Sequence, residues 1–197
     1  IVRDPRDVVA SANYPGGKKF VGDKKPTLFH LRTWRKSVEY CYSLRAEGWF
    51  HFLRYEDLVT RPVNVLNDIC AFLGVDAFDQ TAFCDAIRDR NGEPWQANTS
   101  RNRSSSLISS KSVGTFERSL SDSETAYIEA VCQHEMRWLG YQPLEQRDAA
   151  RIIRGFRDQE VLDQHELDAG YSSNPENIAA ELRRLEEFQA HYSSHAG

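Results

Sequence analysis

The stretch Ile1-Val2-Arg3-Asp4-Pro5-Arg6-Asp7 leaves the chain little conformational choice. Proline fixes φ near −65° and has no N–H, so Pro5 is poorly placed inside a helix and well placed at its first position. Asp4 supplies the N-cap, and Asp7 puts a second carboxylate in the first turn, where the helix dipole favours it. A helix is predicted from Pro5, ending before Tyr14-Pro15-Gly16-Gly17. The two apolar residues ahead of Arg3 read as the end of a buried strand. A guanidinium between strand and helix stands at the C-terminal edge of a parallel sheet, where ligands of open α/β folds bind. Its planar fork matches phosphate oxygens and stays charged there. Ser11 follows Asp4 by about two helical turns, on the same side of the helix, and offers a hydroxyl to the same anion. The Asp4 side chain occupies the helix N-terminus, so this is not a P-loop, in which bare backbone N–H groups meet the phosphate.

Further along, Leu31, Trp34, Val38 and Cys41 recur at helical spacing and predict a helix over about 28–46. Residues 49–55 read as a strand. Pro62 opens another helix, with Val65, Leu66, Ile69, Cys70 and Leu73 inward and Gly74 as its stop. Residues 76–94 suit a short helix with loops. The serine- and arginine-rich run 98–112 has no apolar period and reads as a loop or lid. Ser121 with Glu124 forms a capping box for a helix through Trp138, closed by Gly140. Two acidic, amphipathic helices are predicted beyond Pro143. Asn174-Pro175 opens the second, which carries Ile178, Leu182, Leu185 and Phe188 on one face.

Composition narrows the function classes. The chain has 197 residues, 40% hydrophobic and 27% charged, which is globular usage. No apolar run approaches the ~18–20 residues of a membrane span. Cys41, Cys70, Cys84 and Cys132 show no metal spacing and read as reduced thiols suited to a cytoplasmic protein. Residues 1–40 hold nine Lys/Arg against four Asp/Glu, whereas 141–197 hold six against eleven. The basic end fits an anionic ligand or a solvated face. Overall charge of −4 and the lack of a zinc-finger, RNP or basic-helix pattern argue against nucleic acid. "PGGKK" (15–19) follows a helix and lacks P-loop spacing, so it reads as a solvated loop. His191 and His195 lack a third ligand, and no metal is expected.

"VRDPRDVVAS" followed by "HFLRYEDLVTRPVNVLNDICAFLGV" resembles the sulfotransferases that use 3′-phosphoadenosine-5′-phosphosulfate (PAPS). In that family an Arg, and a Ser eight residues on, grip the cofactor's 3′-phosphate, which implies Arg3 and Ser11. The tyrosine of a Tyr-Glu-Asp segment contacts the adenine in many members, which implies Tyr55. A later basic loop ending in Gly-x-aromatic closes over the same phosphate. "SSKSVGTFERSL" is similar to it, with Gly114 and Phe116 in place. The usual Arg-Lys-Gly is Ser109-Ser110-Lys111 here, so the implied cation is Lys111, Arg101 or Arg103. "HEMRWLGY" is similar to the last core helix of bacterial and carbohydrate-type members.

The resemblance covers 1–142, read as the C-terminal part of a sulfotransferase domain, with 143–197 as a helical tail. The implied fold is α/β: an incomplete P-loop-like parallel sheet flanked by helices, with a C-terminal helical extension. The implied reaction moves a sulfuryl group from PAPS to an acceptor hydroxyl or amine and leaves 3′-phosphoadenosine-5′-phosphate (PAP). The partners are then this nucleotide and an acceptor that the sequence does not identify. The family's 5′-phosphosulfate loop and general base precede the Arg–Ser segment. The chain is therefore expected to be cut inside its sheet and inactive alone. Two other functions fit less of the pattern: a P-loop nucleoside kinase with an arginine-rich lid, and a non-catalytic adaptor whose tail helices bind a partner. Residue by residue, Arg3 also suits a salt bridge, Tyr55 a core position, and Glu56 and Asp57 a bracing role.

Overall fold

The computed structural model describes residues 1–14, 24–78, 90–93, 109–144, 148–158 and 170–195, the last seven by backbone alone. Among them run α1 (Pro5–Asn13), α2 (Thr27–Ser43), α3 (Tyr55–Thr60), α4 (Pro62–Leu73), α5 (Phe116–Ser119), α6 (Asp122–Trp138), α7 (Ala149–Gly155) and α8 (Pro175–His195). Short 3-10 turns cover Ser110–Ser112 and Tyr171–Ser173. The chain divides into two compact units. One comprises Ile1–Arg3 and Leu44–Val113, the other Asp4–Ser43 and Gly114–Gly197.

The helix starts follow the local chemistry. Asp4 caps α1 by accepting the Arg6 N–H at 2.9 Å, with Pro5 in the first turn. Ser121 and Glu124 form the reciprocal capping box of α6. Gly74 closes α4 in the left-handed region (φ 67°), where a side chain would be strained.

The parallel sheet is not found. Among the described residues the fold is helical, and β pairing is confined to one isolated parallel bridge between Val2 and Arg54. Val2 N–H donates to the Leu53 carbonyl at 2.9 Å, and Tyr55 N–H donates to the Val2 carbonyl at 2.7 Å. The ladder is short for local reasons. After Val2 and Arg3, Asp4-Pro5 turns the chain into α1. On the other side the backbone enters α3 at Tyr55, so the strand expected over 49–55 shrinks to its last extended residues. One pair cannot sustain a sheet, which needs several residues on several strands. Among the described residues, a helical architecture with a single β contact stands in place of the expected P-loop-like α/β one.

In the first unit α4 lies beside α3, and of its apolar residues only Val65 is buried. Leu66, Ile69 and Cys70 are half-buried and Leu73 is exposed, so the inward face expected of this helix is only partly covered. In the second unit α1, α2, α6, α7 and α8 enclose a core of Val9, Leu28, Leu31, Val38, Ile128, Met136 and Ile153. Tyr127 stacks on Phe156 at 3.8 Å.

The C-terminal helix docks by more than apolar residues. Leu185 is buried and Phe188 stacks on His134 at 3.6 Å. Between them and α2 lies an ionic network. Glu181, 4% exposed, accepts from Arg35 at 2.5 and 3.2 Å and from Arg32 at 2.9 Å. Arg184 bridges Glu39 and the fully buried Glu135. Burial pushes the Glu181 carboxyl up, but the hydrogen bonds and charges of Arg35 and Arg32 outweigh it and hold the group below its usual range. No helix among the described residues is long and apolar enough to cross a membrane.

The loop 15–19, Cys84, most of 76–94, and residues 98–108 with Arg101 and Arg103 lie outside the described residues, as do the His191 and His195 side chains.

Candidate functional site

Three residues distant in sequence meet in the first unit. The Val2–Arg54 bridge sets Arg3 beside the start of α3. The Arg3 guanidinium carbon lies 4.9 Å from the centroid of the Tyr55 ring, within cation–π range. Arg3 Nη2 donates to the Ser112 carbonyl at 2.5 Å. The Tyr55 hydroxyl and Ser112 Oγ share a hydrogen bond of 2.6 Å. Arg3, Tyr55 and Ser112 therefore form a closed triangle, all three half-buried. A carbonyl and an aromatic face both contact the guanidinium. An arginine fixed in this way suits an anion, because its orientation is set before the ligand arrives.

Tyr55 stands at the first position of α3, not at a strand end. Glu56 and Asp57 occupy the first turn of that helix, and Asp57 pairs with Arg61 at 2.8 Å, a bracing role. Lys111 is in the middle of the 3-10 turn Ser110–Ser112, one residue before Ser112, with an exposed side chain. Its backbone N–H donates to Ser109 Oγ at 3.3 Å. Ser11 belongs to the second unit, half-buried on α1. The structure thus brings Arg3 and Tyr55 together with Ser112, which the sequence did not single out. Ser112's hydroxyl lay inside a run of serines with nothing to distinguish it.

Arg6, three residues after Arg3, serves a different purpose. Its Nε and Nη2 grip both Asp4 carboxylate oxygens at 3.0 and 2.7 Å. Its Nη1 donates to Glu129 at 2.7 Å and to the Gln142 carbonyl at 3.0 Å. Burial pulls its pKa down, but the Asp4 and Glu129 carboxylates outweigh it and hold the guanidinium firmly protonated. Two carboxylates cancel this charge inside the second unit, so Arg6 is structural.

Asp7 stands in the first turn of α1, as the sequence indicates, but its carboxylate makes contacts that the sequence did not foretell. It is 1% exposed, and its carboxylate accepts from Gly114 N–H at 2.8 Å, Phe116 N–H at 3.0 Å and Thr115 Oγ1 at 3.0 Å. Nothing in the sequence tied Asp7 to residues more than a hundred positions away.

Among the described residues no group of three or more His, Cys, Asp or Glu is placed to hold a metal ion. The family model described as "Sulfotransferase domain" matches residues 1–140. No curated protein and no solved structure matches the chain.

Proposed function

The chain belongs to the sulfotransferase domain family, and on that premise we propose that it binds PAPS and serves sulfuryl transfer from it to an acceptor hydroxyl or amine. The observation that carries this reading is the Arg3–Tyr55–Ser112 triangle, an oriented cation on an aromatic face. That donor set fits an adenosine 3′-phosphate: a planar fork for phosphate oxygens and a ring edge for a purine. When bound, PAPS supplies the activated sulfuryl group. Arg3 holds the 3′-phosphate and so fixes the nucleotide's position; Tyr55 borders the adenine. Ser11 and Lys111 enter as a further hydroxyl and cation toward the same phosphate, on the strength of the sequence pattern. Positioning is a large part of what such a transfer asks of a protein, because the reacting groups must be aligned before the bond is broken.

Calorimetric titration of the chain with PAP, AMP and magnesium ATP tests the reading. PAP is expected to bind at least tenfold more tightly than AMP, since only PAP carries the phosphate assigned to Arg3. Tighter binding of magnesium ATP than of PAP would turn the reading toward a nucleoside kinase. Absence of affinity for all three nucleotides would turn it toward an adaptor.

A further inference from the structure

We propose that Ser112 is a positioning residue for the nucleotide site, its hydroxyl setting the Tyr55 ring that borders the adenine; this rests on the PAPS reading above. Arg3, Tyr55 and Ser112 all belong to the first unit. The Tyr55 backbone is fixed by its N–H, which donates at 2.7 Å to the carbonyl of Val2, the residue before Arg3. A fixed backbone still leaves an aromatic side chain a choice among staggered χ1 rotamers. Two contacts narrow that choice. The Arg3 guanidinium carbon lies 4.9 Å from the ring centroid, and the phenol oxygen lies 2.6 Å from Ser112 Oγ. The first is an attraction to the ring face as a whole. The second holds the far end of the ring at one point, and it is the contact that selects the rotamer.

Ser112 can serve as that point because its own position is set locally. Ser109 caps the turn Ser110–Ser112 by accepting the Lys111 N–H at 3.3 Å. Val113 N–H closes the turn onto the Ser110 carbonyl at 2.9 Å. Ser112 then has two separable tasks. Its carbonyl accepts from Arg3 Nη2, and any residue at this position keeps that acceptor. Its hydroxyl meets the Tyr55 phenol, and a residue without a hydroxyl loses that bond. Removing the hydroxyl therefore reaches the ligand through Tyr55 and not through Arg3. Tyr55 borders the adenine, which PAP and AMP share, so the loss falls on both nucleotides alike. Arg3 serves the 3′-phosphate, which of the two only PAP carries.

The test titrates PAP and AMP by calorimetry into the wild-type chain, Ser112→Ala, Ser112→Thr, Ser112→Val, Tyr55→Phe and the double variant Ser112→Ala/Tyr55→Phe. Ser112→Ala is expected to weaken both nucleotides about two- to fivefold and leave their ratio unchanged. Ser112→Thr keeps the hydroxyl and should stay within about twofold of wild type, whereas Ser112→Val has the shape of Thr without the hydroxyl and should behave as Ala. Tyr55→Phe deletes the other end of the same bond, so the double variant should bind no more weakly than either single one, within about twofold. Unchanged affinities in Ser112→Ala, a loss confined to PAP, or losses that multiply in the double variant would overturn the proposal. If Ser112→Ala does not fold, the Thr and Val variants decide, and equal affinities in those two overturn it. A wild-type chain that fails to favour PAP over AMP overturns the PAPS reading, and this role with it. A wild-type preference for PAP beside unchanged affinities in Ser112→Ala overturns only the role of Ser112.

Discussion

Replacing Glu181 by Gln is the sharpest test of how the second unit is held together. Glu181 and Arg35 are 4% and 7% exposed, and their shortest contact is 2.5 Å. The substitution keeps the side-chain volume but removes the charge that compensates Arg35. Breaking a buried ion pair by deleting one partner typically costs ~3–5 kcal/mol. Gln retains one acceptor, and Arg32 is partly solvated, which places the expected loss near ~3 kcal/mol. For a chain of this length that corresponds to a fall in melting temperature of about 6–12 °C. Urea unfolding followed by circular dichroism reads it as a lower midpoint at constant slope. The double variant Arg35→Met/Glu181→Met removes both charges and should recover most of the loss, because the desolvation cost disappears with the pair. The Glu181 carboxyl is held below its usual value, so its contribution is present above about pH 4.5 and fades as pH falls through the folded-state value. A loss under ~1 kcal/mol, or a double variant less stable than the single one, would refute the reasoning.

Other outcomes follow from the same core. His30 sits on α2 with Nε2 donating to Asn13 at 3.0 Å, and burial, followed by the charge of Lys25 against that of Asp158, pulls its pKa from 6.5 to about 4. The unfolded chain binds the extra proton first, so about 1–3 kcal/mol of stability present above pH 6.5 should be lost as pH falls to 4. His30→Gln should flatten that part of the curve, and an unchanged slope would contradict it. Burial pushes the Cys132 thiol up, so a thiol reagent should label Cys41 and Cys70 in the native chain and reach Cys132 only on unfolding. Burial also raises the Glu135 carboxyl, partly offset by Arg184, and its Oε2 has no partner among the described residues. Because Arg184 keeps Glu39, Glu135→Gln should be neutral or stabilising by up to ~1 kcal/mol at pH 7, and a loss above ~2 kcal/mol would contradict this.

Helix positions were legible because caps and periodicity are local: Asp4-Pro5, the Ser121–Glu124 box and Gly74 each act within a turn of the residues they govern. The strand over 49–55 was misread because an apolar run shows that a segment could pair, not where the backbone turns into a helix, as it does at Tyr55. The docking of α8 was half legible. The stripe of Ile178, Leu182, Leu185 and Phe188 showed the face, but it did not single out Glu181 and Arg184, which the structure ties to other helices. Only the arginines and carboxylates of α2 and α6 make them interior groups. Arg3 and Tyr55 were readable from the family pattern, whereas Ser112 and the anchoring role of Asp7 depend on contacts across more than a hundred residues.

The central claim is that Arg3 grips the 3′-phosphate of the nucleotide, and the measurement that reaches it most directly is PAP affinity against AMP affinity in Arg3→Ala. Losing a charge-assisted contact to phosphate costs ~1.5–3 kcal/mol, so PAP binding should weaken roughly tenfold to a hundredfold while AMP binding stays unchanged. Ser11→Ala removes a hydroxyl and no charge, and should cost less with the same selectivity. An Arg3→Ala loss shared equally by AMP, or no loss for either nucleotide, would contradict the claim and leave Arg3 as a residue that merely braces Tyr55 and Ser112.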